Sequence, residues 1–318
     1  MIKRCIFFLF CVLTLTGVSA QNAAAPAQLS QKIVVITGAR FSYKLVEKWI
    51  DRYSKVNPGV QVVVEYRGVT DPLKYDILAE VYEQEADIKK TREYINVARY
   101  AVLPVATSTS SFARIYKEKG LDTDQIKQIF FTNLFADKEK QKALEAPFTV
   151  YTRLQKAGVP TVFAKYFDHK QNDIIGTGIA GADTHLLKAL LRDTTGVTYL
   201  PLSLIYDEQT RKPVEGLTVL PVDLNGNGKV ADNEKFYEHL DVVIDRLENA
   251  EAGTIKNVPL EYLHLSVDKN KASEEAVRFL KWVNENGQED LHAFGYLKPE
   301  AKRFTKEKFN EFASRYGK

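Results

Sequence analysis

Residues 223–234 read Asp-Leu-Asn-Gly-Asn-Gly-Lys-Val-Ala-Asp-Asn-Glu. Oxygen-bearing side chains at positions 1, 3 and 5, glycine at 6 and glutamate at 12 have the spacing of a calcium loop. Asp223, Asn225 and Asn227 would turn their side-chain oxygens, and Lys229 its carbonyl, around one hard cation. Gly228 allows the sharp turn, and Glu234 closes the cage with both oxygens. Only Asp223 and Glu234 carry charge, which sets the expected affinity at the weak, extracellular end, about 10⁻⁴–10⁻³ M. Val219-Leu220-Pro221 before the loop is strand-like, so the loop stands without a second hand. Its expected role is structural rather than switching. The competing reading is an Asn/Gly-rich turn that caps a helix over 232–250.

Two basic loops have the makings of an anion site. Gly38-Ala39-Arg40-Phe41 joins a strand to a helix, where backbone N–H groups and the positive helix end would point outward. Arg40 adds a guanidinium that forks onto oxyanions. Arg153 ends another strand and precedes Ala157, Gly158 and a helix with Pro160 in its opening turn. Carboxyl ends of strands are where open α/β sheets bind ligands. Ordinary connections with arginines in solvent are the alternative.

Other motifs carry less. Gly176-Thr177-Gly178-Ile179-Ala180-Gly181 matches the dinucleotide fingerprint in form, yet no long strand precedes it and no acidic residue follows on the next strand. It reads as a glycine-rich helix start. The five histidines (His169, His185, His239, His264, His292) show no metal-ligand spacing. Asp183 and His185 at the start of a helix read as capping residues, and the Ser/Thr run Thr107–Ser111 as a cap for the next helix. Nothing argues for an enzyme, and no catalytic residue is assigned.

These loops need elements to position them. Ile33-Val34-Val35-Ile36 is a buried strand, a helix with Leu45, Trp49 and Tyr53 on one face follows, Asn57-Pro58-Gly59 stops it, and Gln61–Tyr66 is a second strand. That βαβ unit implies a parallel sheet. Leu73–Tyr100 reads as charged and mostly helical or irregular, Ala101–Ala106 as a short strand broken by Pro104. Strands at Phe148–Arg153, Thr195–Leu200 and Glu261–Val267 alternate with helices over 178–192, 232–250 and 273–285. The class is α/β.

At 318 residues, with 44 basic against 41 acidic side chains, the chain is too balanced to be chiefly a nucleic-acid coat. Lys3 and Arg4 precede an apolar run from Cys5 to Leu15, and Val18-Ser19-Ala20 makes a small-x-small cleavage site. Residues 1–20 read as a secretory signal peptide and 21–31 as a mobile leader. Cleavage removes Lys3 and Arg4 and no acid, so the net charge of +3 becomes +1. It also removes Cys5, Cys11 and Met1, leaving a mature chain without sulfur and without disulfides, thiol nucleophiles or cysteine metal sites. With no lipobox cysteine, the expected location is periplasmic or secreted.

The residues resemble a family. Ile36–Phe41 followed by Leu45-Val46-Glu47-Lys48-Trp49 and Asn57-Pro58-Gly59-Val60, the stretch Thr195–Tyr199, and Phe279–Val283 with Gly287-Gln288 and Gly295–Pro299 are similar to the periplasmic phosphate-binding proteins of ABC importers. The resemblance implies a two-lobed type II periplasmic-binding-protein fold with two hinge strands. Lobe 1 would be 32–104 and 200–318, with the calcium-like loop 223–234, and lobe 2 would be 105–199. It implies a small inorganic anion, phosphate first, held between the lobes and passed to a membrane permease by a monomeric protein. The family's second ligand loop would fall at Arg67–Thr70, adding Thr70, and its anion-binding arginine would be Arg153. Arg40 stands where the family has threonine, hydroxyls are missing around Ala157-Gly158-Val159, and the ligand aspartate has no counterpart near Asp76–Val81. Added arginine and fewer hydroxyls would suit a different or larger anion. The competing function is a secreted, calcium-stabilised interaction or sensor protein that kept the fold without transport.

Overall fold

Strand β1 (Lys32–Gly38) is rich in β-branched residues that favour a covered, pleated surface. In this computed structural model, which describes residues 32–67, 71–82, 86–132, 144–251, 253–299 and Ser314, β1 pairs in parallel with β2 (Val60–Val64) and β3 (Ile77–Glu80). The segments 1–20 and 21–31, read from sequence as a signal peptide and a leader, and Thr70 lie outside the described residues. Helix α1 (Tyr43–Val56) crosses between β1 and β2 and buries Leu45, Val46, Trp49 and Tyr53. Its apolar positions recur at helical spacing, so one face meets the sheet. Trp49 is fully buried and its indole N–H donates to the Gly287 carbonyl at 2.9 Å.

After α2 (Ala86–Thr91) the chain enters β4 (Arg92–Thr107), sixteen residues long. The sequence suggested only a short strand over 101–106. Arg92, Glu93, Asn96 and Arg99 mask the pattern, because their neighbours are covered by a strand from far along the chain. Over Arg92–Ala101, β4 pairs antiparallel with β9 (Leu260–Asp268), and over Val102–Ala106 with β7 (Gly196–Pro201). Pro104 lies where one flank of β4 passes from β9 to β8 (Leu217–Val219), so its missing N–H leaves no gap in either ladder. Its carbonyl accepts from Leu220 N at 3.0 Å.

The second half of the molecule holds α3 (Ser111–Lys119), capped by Ser110 Oγ on Ala113 N at 2.8 Å, and α4 (Thr123–Phe131). Next come β5 (Thr149–Arg153), α5 (Gly158–Tyr166), β6 (Thr177–Ile179) and α6 (Asp183–Leu190). The glycine-rich 176–181 segment therefore contains a short strand, and α6 begins later than the sequence suggested. Phe163 stacks on Tyr199 at 4.2 Å and Phe130 meets Phe163 edge-on at 4.9 Å, fixing α4 and α5 to β7. The chain returns through β7 and α7 (Leu202–Ile205) to β8, then α8 (Leu240–Glu248), β9 and α9 (Glu274–Asn286). The sheet order is β2-β1-β3-β9-β4-β7-β5-β6, with β8 also on β4.

One expectation needs correction. The helix expected over 232–250 is a 3₁₀ turn at Asp232–Glu234 followed by α8 from Leu240, so Glu234 does not open a long helix. Just before the 223–234 loop, β8 pairs with Val105–Thr107, and Asp223 N donates to Leu121 O at 3.0 Å. Hydrogen bonding thus draws this stretch against the second half.

Candidate functional site

The carboxyl ends of β1, β3 and β5 face a cleft of about 590 Å³ between the halves of the sheet. From the first half it is lined by Gly38, Ala39, Arg40, Phe41 and the end of β3, and from the second by Arg153, Ala157 and Gly158. Seven of the eight residues proposed for anion binding from sequence thus share one cavity, and Thr70 is the residue not described.

Local detail changes how they would act. Gly38 has φ of +137°, and a Cβ there would lie 2.0 Å from the Ala79 carbonyl oxygen. The same close approach lets Ala39 N donate to Ala79 O at 2.8 Å, while Gly38 N donates to the Tyr43 hydroxyl at 3.1 Å. The two amides expected to point at an anion are taken up inside the protein, because β1 runs hard against β3. Across the cleft, Ala157 N donates to Gln171 Oε1 at 3.0 Å. The amides that open α5 are those of Gly158 and Val159, since Pro160 has none. Arg40 is exposed, and its Nη2 donates to the Arg67 carbonyl at 3.1 Å, tying together two loops of the same half.

Arg153 is the best-placed cation. Its side chain is one-tenth exposed, and Nη1 donates to Asp183 Oδ1 at 2.7 Å from the first turn of α6. Its Nε is buried with no partner among the described residues. The ion pair fixes the guanidinium at the cleft wall and leaves part of its donor fork unused. Asp183, read from sequence as a cap, has this role instead. His185 makes the cap, its Nδ1 accepting from Ala182 N at 2.9 Å.

Sequence reasoning also missed Glu80. It is buried at the end of β3 and lines the cleft, whereas the nearby Asp76 accepts from Val35 N at 2.8 Å. Ser266 Oγ donates to Glu80 Oε2, Arg92 Nε donates to Ser266 Oγ at 2.9 Å, and Arg92 Nη2 donates to the Ser266 carbonyl at 2.8 Å. Burial lowers the Arg92 pKa, and the charge of Glu80 partly restores it. Burial, with a smaller push from Glu80, raises Tyr94 to about 12. An apolar strand ending in a carboxylate, Ile77-Leu78-Ala79-Glu80, was the available signal.

The halves touch across the cleft. A Cβ on Gly158 would fall 2.0 Å from Val81 Cγ2 and 3.4 Å from the Tyr82 ring, so only glycine admits this approach.

In the 223–234 loop, Asp223 and Glu234 are both buried. Asp223 Oδ1 accepts from Gly226 N at 2.8 Å and Asn227 N at 3.1 Å, and Oδ2 from Gly228 N at 2.6 Å. Glu234 Oε1 accepts from Leu224 N at 2.9 Å and Asn225 N at 3.2 Å, and Oε2 from Ala231 N at 2.8 Å. Gly228 has φ of +82°, the turn that position needs. Asn225 Nδ2 also donates to Glu234 Oε1 at 3.2 Å; among the described residues no cationic side chain competes for the two carboxylates, and the candidate ligand atoms are all oxygen, which fits a hard cation. Among the described residues, no group of three or more His, Cys, Asp or Glu gathers at a metal-ligand spacing, and no helix is long and apolar enough to cross a membrane.

No family model and no curated protein matches the chain. Solved structures do. A protein from Clostridium perfringens described as a phosphate ABC transporter substrate-binding protein, with phosphate bound, superposes with a TM-score of 0.61 at 14% identity, covering 85% of this chain and 100% of that one. An ABC-type phosphate transport receptor from Vibrio cholerae gives 0.56 at 14% identity, over 84% and 100%. The chain has the type II periplasmic-binding-protein fold. The CcmR regulatory domain of Synechocystis PCC6803, in complex with 2-PG, superposes at 0.50 with 10% identity, over 80% and 96%. The binding-protein fold is thus shared by transport receptors and regulators, and function rests on the cleft.

Proposed function

We propose that the chain is an extracytoplasmic solute-binding protein that closes its two lobes on an oxyanion, with a phosphoryl group as the reference head group, and presents the closed form to an ABC permease. The observation that carries this reading is Arg153: a buried guanidinium with an unused N–H beside the opening amides of a helix, facing the β1 loop across a cleft. A ligand that bridges both walls stabilises the closed state by its differential affinity for it. The paired strands β4 and β7, side by side between the halves, are the natural hinge. On this reading the protein is no enzyme, works as a monomer and has no nucleic-acid partner.

The test is small-angle scattering with and without saturating ligand, after a melting-temperature screen of oxyanions. Compaction on binding is expected. Tight binding with no compaction would favour the alternative, a secreted interaction or sensor protein on the same fold.

We also propose a structural calcium ion at Asp223, Asn225, Asn227, Lys229 and Glu234. An ion that binds only the folded chain adds RT ln(1 + [L]/Kd), about 1.4–2.7 kcal/mol at roughly 10 mM calcium for the affinity range of such loops. Calcium is expected to raise the melting temperature by a few degrees, and Glu234→Gln to abolish the shift. Superimposable melting curves in calcium and in chelator would refute the site.

A further inference from the structure

We infer that the natural ligand is a phosphate monoester rather than free inorganic phosphate, with its phosphoryl group at Arg153 and the start of α5 and its carbon body against Phe41 and Tyr82. The inference rests on the anion-binding reading and adds the class of molecule. Its first support is size. A free tetrahedral oxyanion fills about two to three water volumes, roughly 60–90 Å³ at about 30 Å³ per water. The cleft holds about 590 Å³ although its walls already meet where Gly158 approaches Val81. That volume falls in the roughly 300–1,000 Å³ range of sites for organic molecules.

The second support is the chemistry of the lining. A small, dehydrated anion needs short donors on every side. Among the described residues no serine or threonine lines the cleft, and the Gly38 and Ala39 amides are engaged elsewhere. Cationic side chains stand on both walls, Arg40 and Arg67 on the first and Arg153 and Lys156 on the second, but only the second adds the amides of Gly158 and Val159 that open α5, which favours it for the phosphoryl group. The rest of the inner surface includes carbon: Phe41, Leu78, Val81 and Tyr82. Phe41 is held in place by its ring contacts with Tyr100 at 5.2 Å and Tyr296 at 6.2 Å. The Tyr82 ring lies beside Gly158, so an ester body attached to a phosphoryl group there would meet an aromatic surface at once. A head group gripped by one wall with a carbon body across the other also bridges the lobes, as closure requires.

The experiment is calorimetric titration of the full mature chain with inorganic phosphate, phenyl phosphate and benzoate, repeated on Tyr82→Ala with its unliganded melting curve as a folding check. Phenyl phosphate is expected to bind at least tenfold more tightly than inorganic phosphate, and Tyr82→Ala to shrink that preference. Inorganic phosphate binding as tightly as phenyl phosphate would overturn the monoester and leave the anion reading standing. Benzoate matching phenyl phosphate would overturn the phosphoryl head group. Binding of none of the three would overturn the monoester and the anion reading together.

Discussion

Arg153→Ala is expected to weaken oxyanion binding by roughly tenfold to several hundredfold. Hydrogen bonds to charged groups are worth about 1.5–3 kcal/mol each, and each 1.4 kcal/mol is about tenfold in Kd. The guanidinium is already oriented by Asp183 at 2.7 Å, so the ligand meets a donor that needs no further ordering. Arg153→Lys should recover only part of the affinity, because an ammonium offers a point charge in place of a planar fork. The same substitution affects stability. Both side chains are one-tenth exposed, and removing one partner of a buried pair costs about 3–5 kcal/mol where water cannot reach the other. The cleft lets water reach Asp183, so the loss should fall below that range. Combining Arg153→Ala with Asp183→Asn separates the effects: the melting temperature should recover while binding stays weak. Wild-type affinity in the single variant would move the anion site elsewhere.

Gly38→Ala is expected to be among the most damaging single-methyl changes in the molecule. At φ +137° a side chain is strained by about 1–3 kcal/mol. The added carbon would lie 2.0 Å from Ala79 O and 2.8 Å from Ala79 N, and relieving such overpacking costs about 1–3 kcal/mol more. A combined loss of about 2–6 kcal/mol is large against total stabilities of about 5–15 kcal/mol. To relieve the clash β1 must part from β3, which pulls Arg40 and Phe41 off the cleft wall. Urea unfolding is the measurement, with Ala39→Gly as the mild comparison. A Gly38→Ala midpoint equal to wild type would show that the two strands do not approach so closely.

What the sequence displayed and what it hid divide along physical lines. The opening strand, helix and strand are contiguous, each with its own periodicity, so β1, α1 and β2 could be read locally. Strand ends followed by Arg40 and Arg153 pointed to the cleft because parallel strands align their carboxyl ends. β4 was hidden because a strand covered on both flanks by distant partners needs no alternation of its own, and Arg92 and Arg99 inside it looked like surface. Arg92 is buried instead because Ser266, far along the chain, accepts from it. Glu80 escaped notice for the same reason: only its pairing with β9 reveals a covered carboxylate. The engaged amides of Gly38 and Ala39 depend on a 2.0 Å clearance that no residue pattern encodes.

β9 lies between β3 and β4 in the sheet, and its Ser266 bonds Glu80 across a separation of 186 residues. A ribosome adding roughly 5–20 residues per second needs about 10–40 s to cover that interval. Throughout it, the two early strands have an empty slot between them and cannot form the central ladder. Non-local pairing of this kind slows folding even after synthesis ends. A chain that has not yet grown past β9 therefore stays open, and its carboxyl-terminal part is what locks the two early strands into one sheet.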